Sequence, residues 1–118
     1  MRGIRGATQL EANSVEAMEE AVAELCRAIV QENGIDPDEI VWAMFTVTHD
    51  LDADFPARAA RVAGGWERVP MICSREIPVP GSLPRTVRVL VHVDSGRPVD
   101  ARHVYLRGAK VLRPDLHK

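Results

Sequence analysis

The most regular stretch of the chain is residues 85–93, RTVRVLVHV, where Val87, Val89, Val91 and Val93 alternate with Arg88, Leu90 and His92. Side chains along a strand point to opposite faces with period two, so this pattern predicts a strand with one apolar and one mixed face. Residues 40–48, IVWAMFTVT, form a continuous apolar and β-branched run, which predicts a strand buried on both faces. Residues 2–8, RGIRGAT, predict a short first strand, and 69–74, VPMICS, a third strand with an early proline. Residues 103–106, HVYL, and 109–112, AKVL, predict two short strand-like pieces separated by Arg107-Gly108. A different period rules the segment after Asn13. Met18, Val22, Leu25 and Ile29 recur at 4-3-4 spacing, one face of an amphipathic helix. Asn13 with Glu16 three residues later reads as its capping-box start, and Asn33-Gly34 as its stop. Asp36-Pro37-Asp38-Glu39 predicts a single capped turn. Residues 55–63 predict a second helix with Pro56 in its first turn, ended by Gly64-Gly65.

The resulting order is β-α-β-α-β-β-β, an α/β or α+β-like fold in which two helices cover a mixed β-sheet. Two helices can cover only one face of such a sheet. The other face therefore calls for a partner, and a homo-oligomer is the natural one.

With 118 residues the chain is expected to be a single domain, 1–118, without linker or repeat. The formal net charge of −2 argues against a nucleic-acid partner, which would need a basic field. No apolar run approaches the roughly 20 residues that span a bilayer, so no membrane role is expected. The opening MRGIRGAT has no secretory apolar region, and a cytoplasmic setting with reduced thiols is the expectation. Two cysteines, Cys26 and Cys73, make neither a disulfide framework nor a zinc motif. Of 15 basic residues, 13 are arginine. Composition bias accounts for the bulk of them, but a few can serve as planar forks for carboxylates.

Arg88 is the most informative residue, because it stands at the centre of the alternating strand opposite the valines. A guanidinium there is either solvated, linked to Glu76, or paired with an anionic ligand, since burial without a partner costs several kcal/mol, roughly. Glu76 and Cys73 lie three apart before the proline-rich loop 78–84, and Glu76 alone reads equally as a solvated acid. Arg5 sits between Ile4 and Gly6, where the neighbouring glycines would let a ligand approach the backbone. Arg58 and Arg61 are one turn apart on the second helix, and Tyr105 is the only tyrosine. The histidines have no metal-ligand spacing, and no glycine-rich phosphate loop or Ser-His-Asp order is present, so no metal and no cofactor is expected. Such a set suits a dianionic ligand handled by charge and shape. It fits an enzyme, and it fits equally a small oligomeric module that senses an anionic metabolite.

The segments RGIRGAT, DFPARAAR, VPMICSREIPVPG and RHVYLRGAKVLRPDL, in this order along nearly the whole chain, closely resemble the monofunctional chorismate mutases of the AroH class. The resemblance implies a homotrimer with a pseudo-α/β-barrel core and active sites between subunits. It implies the cofactor-free [3,3] rearrangement of chorismate to prephenate in aromatic amino-acid biosynthesis. It puts Arg5, Glu76, Arg88 and Tyr105 in the site with Cys73 beside them. Phe55, Ala57, Arg58 and Arg61 match the part a neighbouring subunit contributes, Met71 and Ile72 stand at further substrate contacts though they differ in detail from the family's pattern, and Leu112 and Arg113 match a tail that folds toward the cleft. Arg58 stands where the resemblance leads one to expect lysine, which keeps the charge and changes the reach.

Overall fold

A computed structural model describes residues 1–112 of the chain. Its elements are β1 (Arg2–Gln9), α1 (Val15–Asn33), β2 (Ile40–Val47), α2 (Pro56–Val62), β3 (Met71–Arg75), β4 (Thr86–Val93) and β5 (Val104–Tyr105), with 3-10 turns at Pro37–Glu39 and Arg107–Leu112. The strands form one mixed sheet in the order β3-β2-β4-β1-β5. The valine-alternating strand β4 lies at its centre, antiparallel to both β1 and β2. β3 and β5 add in parallel at the edges.

Register sorts the side chains into two faces. Ile4, Gly6 and Thr8 of β1 stand opposite Val91, Val89 and Val87, and Ala43, Phe45 and Val47 of β2 flank the same three valines. This face is buried beneath Met18, Val22, Leu25 and Ile29 of α1 and Ala59 and Ala60 of α2. Gly6 is needed for that contact. A Cβ there would come within 3.0 Å of Ile29 and 3.2 Å of Leu25, so the bare backbone makes room for α1 on the core side, while Gly6 also lines the cleft on the other side. The opposite face carries Arg5, Trp42, Met44, Thr46, Arg88 and Leu90, and neither α-helix covers it; only the 3-10 segment packs there, over Ala7 and Tyr105. Within the single chain β2 is therefore buried on one face, where its apolar run suggested two. Val41 and Trp42 are exposed and Met44 is half-buried, because both helices pack on the valine side.

Helix α1 begins one residue later than expected. Ser14 is its cap, and the Ala17 amide donates to Ser14 Oγ at 3.1 Å. Asn13 is engaged elsewhere. Its side chain donates to Asp52 Oδ1 at 2.7 Å and accepts from the Asp52 and Ala53 amides at 3.1 Å, tying the loop before α2 to the start of α1. Gly34 ends α1 with φ of 58°, the left-handed conformation glycine supplies most cheaply. The turn at Pro37–Glu39 has its capping box as expected. β3 starts at Met71, since Pro70 has no amide to donate and enters only through its carbonyl, bonded to the Ala43 amide at 2.9 Å.

The segment AKVL is not a strand. Arg107 takes φ of 53°, and its guanidinium reaches Glu24 and Glu20 of α1 at 3.1 and 3.3 Å. Gly108 lies so close to Gln9 that a Cβ would fall 1.7 Å from its Oε1. This backbone reversal and close approach turn residues 107–112 into a 3-10 segment packed over the end of β1. No helix among the described residues is long and apolar enough to cross a membrane.

The two capping residues have separable effects. Ser14→Ala should cost about 1 kcal/mol and speed hydrogen exchange at the Ala17 amide. Asn13→Ala should instead expose the amides of Asp52 and Ala53 and leave that of Ala17 protected. Denaturant unfolding and amide exchange of both variants check this.

Candidate active site

The open face of the sheet holds a cleft of about 320 Å³ bordered by Arg5, Met44, Thr46, Arg88, Leu90, Tyr105 and Leu112. Each wall comes from a different element. Arg88 is opposite Thr46 on β2 and Ala7 on β1. Tyr105 is paired with Ala7 by β5, and its ring is buried against Ala7 and Ala109 of the 3-10 segment. That segment also brings in Leu112.

Arg88 makes a side-on pair with Glu76. Nε donates to Oε2 at 2.8 Å and Nη2 to Oε1 at 2.7 Å. Bidentate pairing of this kind fixes the plane of the guanidinium as well as its position. Nη1 has no hydrogen-bond partner among the described residues and stays available to the cleft. Thr46 Oγ1 donates to Glu76 Oε2, and the Glu76 amide donates to the Val47 carbonyl at 2.9 Å. The Arg88 bond, followed by the Thr46 bond, holds the Glu76 carboxyl below the usual carboxylate range against the opposing effect of partial burial. Reciprocally, Glu76 raises the Arg88 guanidinium above its ordinary value. Arg5 is opposite Leu90, and its amide donates to His103 Nδ1 at 3.0 Å. Among the described residues its guanidinium has no carboxylate partner.

A second cluster lies on the helix side of the sheet, around the start of α2. A cleft of about 350 Å³ is bordered there by Leu51, Asp54, Phe55, Pro56, Cys73 and Arg75, among others. Phe55 is 70% exposed. Cys73 is paired with Phe45, on the valine side, and bonds the backbone of Ala57. Burial pushes the Cys73 thiol up, the Ala57 bond opposing it, so the thiol stays protonated at neutral pH. Arg58 Nη1 donates to Glu19 Oε2 and Asp54 Oδ2, both at 3.0 Å. Asp54 Oδ1 in turn accepts from the Phe55 amide at 2.8 Å. Arg58 is thus a brace between α1 and α2. Arg61, one turn on, is exposed and has no carboxylate partner among the described residues.

Within one chain, then, Arg5, Glu76, Arg88, Tyr105 and Leu112 come together, and Phe55, Ala57, Arg58 and Cys73 come together elsewhere. Cys73 is not beside Glu76 and Arg88, because alternation along β3 turns it to the opposite face. Met71 is half-buried on the core side, whereas Ile72 is 66% exposed on the open side. Arg113 lies outside the described residues. The reading from sequence missed Thr46, Asp54 and Glu19. Thr46 had a signal, since Trp42, Met44 and Thr46 alternate with the apolar Ala43, Phe45 and Val47. Asp54 and Glu19 had none, because their meeting with Arg58 is made only by the packing of α1 on α2.

Together these features define a small α+β protein whose mixed sheet presents an arginine-lined cleft on its open face. The chain matches the family description Chorismate mutase type I over residues 1–116. It is 50% identical to Chorismate mutase AroH of Thermus thermophilus over 118 residues, 98% of this chain and 96% of that one. It is 42% identical to Chorismate mutase AroH of Bacillus subtilis (strain 168) over 117 residues, 98% and 92% of the two chains. A solved chorismate mutase from Clostridium thermocellum superposes with a TM-score of 0.87 at 43% identity, covering 94% of this chain and 99% of that one. The chain belongs to the type I chorismate mutase family.

The Glu76–Arg88 pair carries a pH signature. Its carboxyl is depressed in the folded protein, so its stabilising contribution is complete above the unfolded carboxylate pKa of about 4.3 and is lost as pH falls through the lower folded value. Denaturant unfolding from pH 7 to 3, at one protein concentration, should show the wild type losing stability more steeply at the acid end than Glu76→Gln.

Proposed function

We propose that the protein catalyses the rearrangement of chorismate to prephenate in clefts shared between the subunits of a homotrimer, with no cofactor and no covalent intermediate. The observation that carries this reading is the side-on Arg88–Glu76 pair in an open cleft beside Arg5 and Tyr105. Chorismate is a dicarboxylate with an ether oxygen and a ring hydroxyl. Breaking its C–O bond ahead of C–C bond formation leaves partial negative charge on the ether oxygen. A fixed cation there interacts more strongly with the transition state than with the ground state, and that difference lowers the barrier.

Arg88 is the residue for that role, with Nη1 directed to the ether oxygen and Glu76 holding the guanidinium plane. Arg5, with Tyr105, clamps one carboxylate and selects the compact conformer that brings the reacting ends together. Glu76 accepts from the ring hydroxyl. Phe55, Ala57, Arg61 and Cys73 come from a neighbouring subunit, and Met71 and Ile72 add contacts there. Arg113 joins Leu112 in the tail that closes the cleft. Arg58, already engaged by two carboxylates, holds the neighbour's loop in shape and leaves Arg61 as the cation facing the second carboxylate. The separation of the two clusters onto different faces of one sheet supports a shared site. So do the exposed Trp42, Ile72 and Leu90 beside the cleft, an apolar surface that a second copy would cover. The same reading sets the reaction in the cytoplasm, where both thiols stay reduced.

Gel filtration with light scattering should give about 39 kDa, three chains of 13.0 kDa. A stable, active monomer would remove the shared site. Chorismate absorbance should fall at substoichiometric protein, whereas a mere sensor of anionic metabolites leaves it unchanged. Arg88→Ala should reduce kcat by at least ~10²–10³, the loss typical of one oxyanion donor, with a smaller effect on KM. Arg88→Lys should restore only part. Citrulline at position 88, which keeps the shape and removes the charge, separates electrostatics from positioning. Wild-type turnover by that variant would show that charge is not what lowers the barrier.

A further inference from the structure

Glu76, which reaches the cleft through Arg88 and Thr46, lies outside every regular element. β3 ends at Arg75, and Glu76 is held to the sheet through a single backbone bond to Val47. Beyond it the chain enters the loop with Ile77 and Val79 exposed, and His49 Nε2 lies 3.2 Å from the Glu76 carbonyl, a contact that holds the backbone and not the carboxylate. The terminal torsion of a glutamate is broad, so the backbone alone does not set the carboxylate plane. Two side chains do. Arg88 takes both oxygens, and Thr46 donates its hydroxyl to Oε2. Thr46 is on β2 directly opposite Arg88, half-buried, on the cleft side of the sheet. Packing does not require a hydroxyl there, since valine has nearly the same shape, and the rest of β2 is apolar.

We propose that Thr46 is a positioning residue of the reaction, whose hydroxyl locks the Glu76 carboxylate in the orientation that sets the guanidinium plane of Arg88 and aims Nη1 into the cleft. This rests on the reading of the cleft as the site of chorismate rearrangement. Without the hydroxyl, Glu76 and Arg88 still attract each other, but the pair swings as a unit about its two long side chains. A loose cation still binds the ground-state dianion. It is no longer preorganised for the charge that develops on the ether oxygen, so the loss falls on kcat.

Steady-state chorismate turnover of Thr46→Val, Thr46→Ser, Glu76→Ala and the Thr46→Val/Glu76→Ala double variant tests this, with folding and assembly mass checked for each. Thr46→Val should lower kcat on the order of tenfold, the scale of one hydrogen bond to a charged group, and leave KM within about twofold. Thr46→Ser, which keeps the donor, should stay near wild type. In the Glu76→Ala background, Thr46→Val should have no further effect, because there is no carboxylate left to orient. Wild-type kcat in Thr46→Val overturns the proposal. An equal loss in the Glu76→Ala background, or an equal loss in Thr46→Ser, overturns it too, by showing a role in packing. An inactive wild type defeats the activity itself and this proposal with it, whereas an active wild type with an unaffected Thr46→Val defeats this proposal alone.

Discussion

The pleat of β4 is the constraint on which the rest depends. The strand is bonded on both sides, to β1 and to β2, so a slip by one residue would exchange its faces and disrupt two ladders at once. Burying a valine side chain is worth roughly 1.5–3 kcal/mol, and β4 buries four of them under the helices. A half-exposed ion pair such as Arg88–Glu76 is worth about 1 kcal/mol or less. The valines, not the ion pair, therefore decide which way β4 faces. Arg88 is delivered to the open side by the core, and Glu76 and Thr46 then refine where its guanidinium lies.

That division has a consequence for the open face. Covering the valines uses both helices, and nothing in the chain's described residues covers Trp42, Ile72 and Leu90. The same act of folding that builds the core leaves an apolar rim around a cationic cleft. An exposed apolar rim and an arginine-lined cleft therefore arise side by side, from one and the same choice of which face the helices cover.

Two arginines illustrate how the same fork can serve different ends. Arg88 meets one carboxylate edge-on and keeps Nη1 open, so its charge is oriented without being consumed. Arg58 bonds two carboxylates through one nitrogen, and one of these, Asp54, also holds the Phe55 amide. Its charge is matched within the chain, and the brace ties the loop bearing Phe55 to α1. Arginine suits this position because its guanidinium stays charged and can bond both acids at once.

Much of this was legible from the residues in order. The valine alternation, the 4-3-4 stripe of α1 and the caps at Gly34 and Asp36 are local patterns, and each fixes its element through backbone geometry that neighbours in sequence control. The placement of Arg88 opposite a buried face follows from the same parity. What depended on contacts far apart in sequence was not legible. Ser14 and Asn13 are both good helix caps, and only the loop at Asp52–Ala53 drew Asn13 away. AKVL has strand-like composition, and only the closeness of Gly108 to Gln9, with Arg107 anchored on α1, made it a 3-10 segment. IVWAMFTV reads as doubly buried, yet this chain's own helices cover only one of its faces, because composition reports apolarity and not which layer supplies the cover. Cys73 is turned to the core side by the pleat of β3 and Glu76, three residues on and past the strand's end, meets Arg88 on the other side, while Thr46 and Glu76, thirty apart, are brought into one hydrogen bond. Sequence alone determined the elements and the parity of their faces, because those follow from local backbone periods. The tertiary structure decided which charges meet, because strand order and helix packing bring together residues that no local pattern connects.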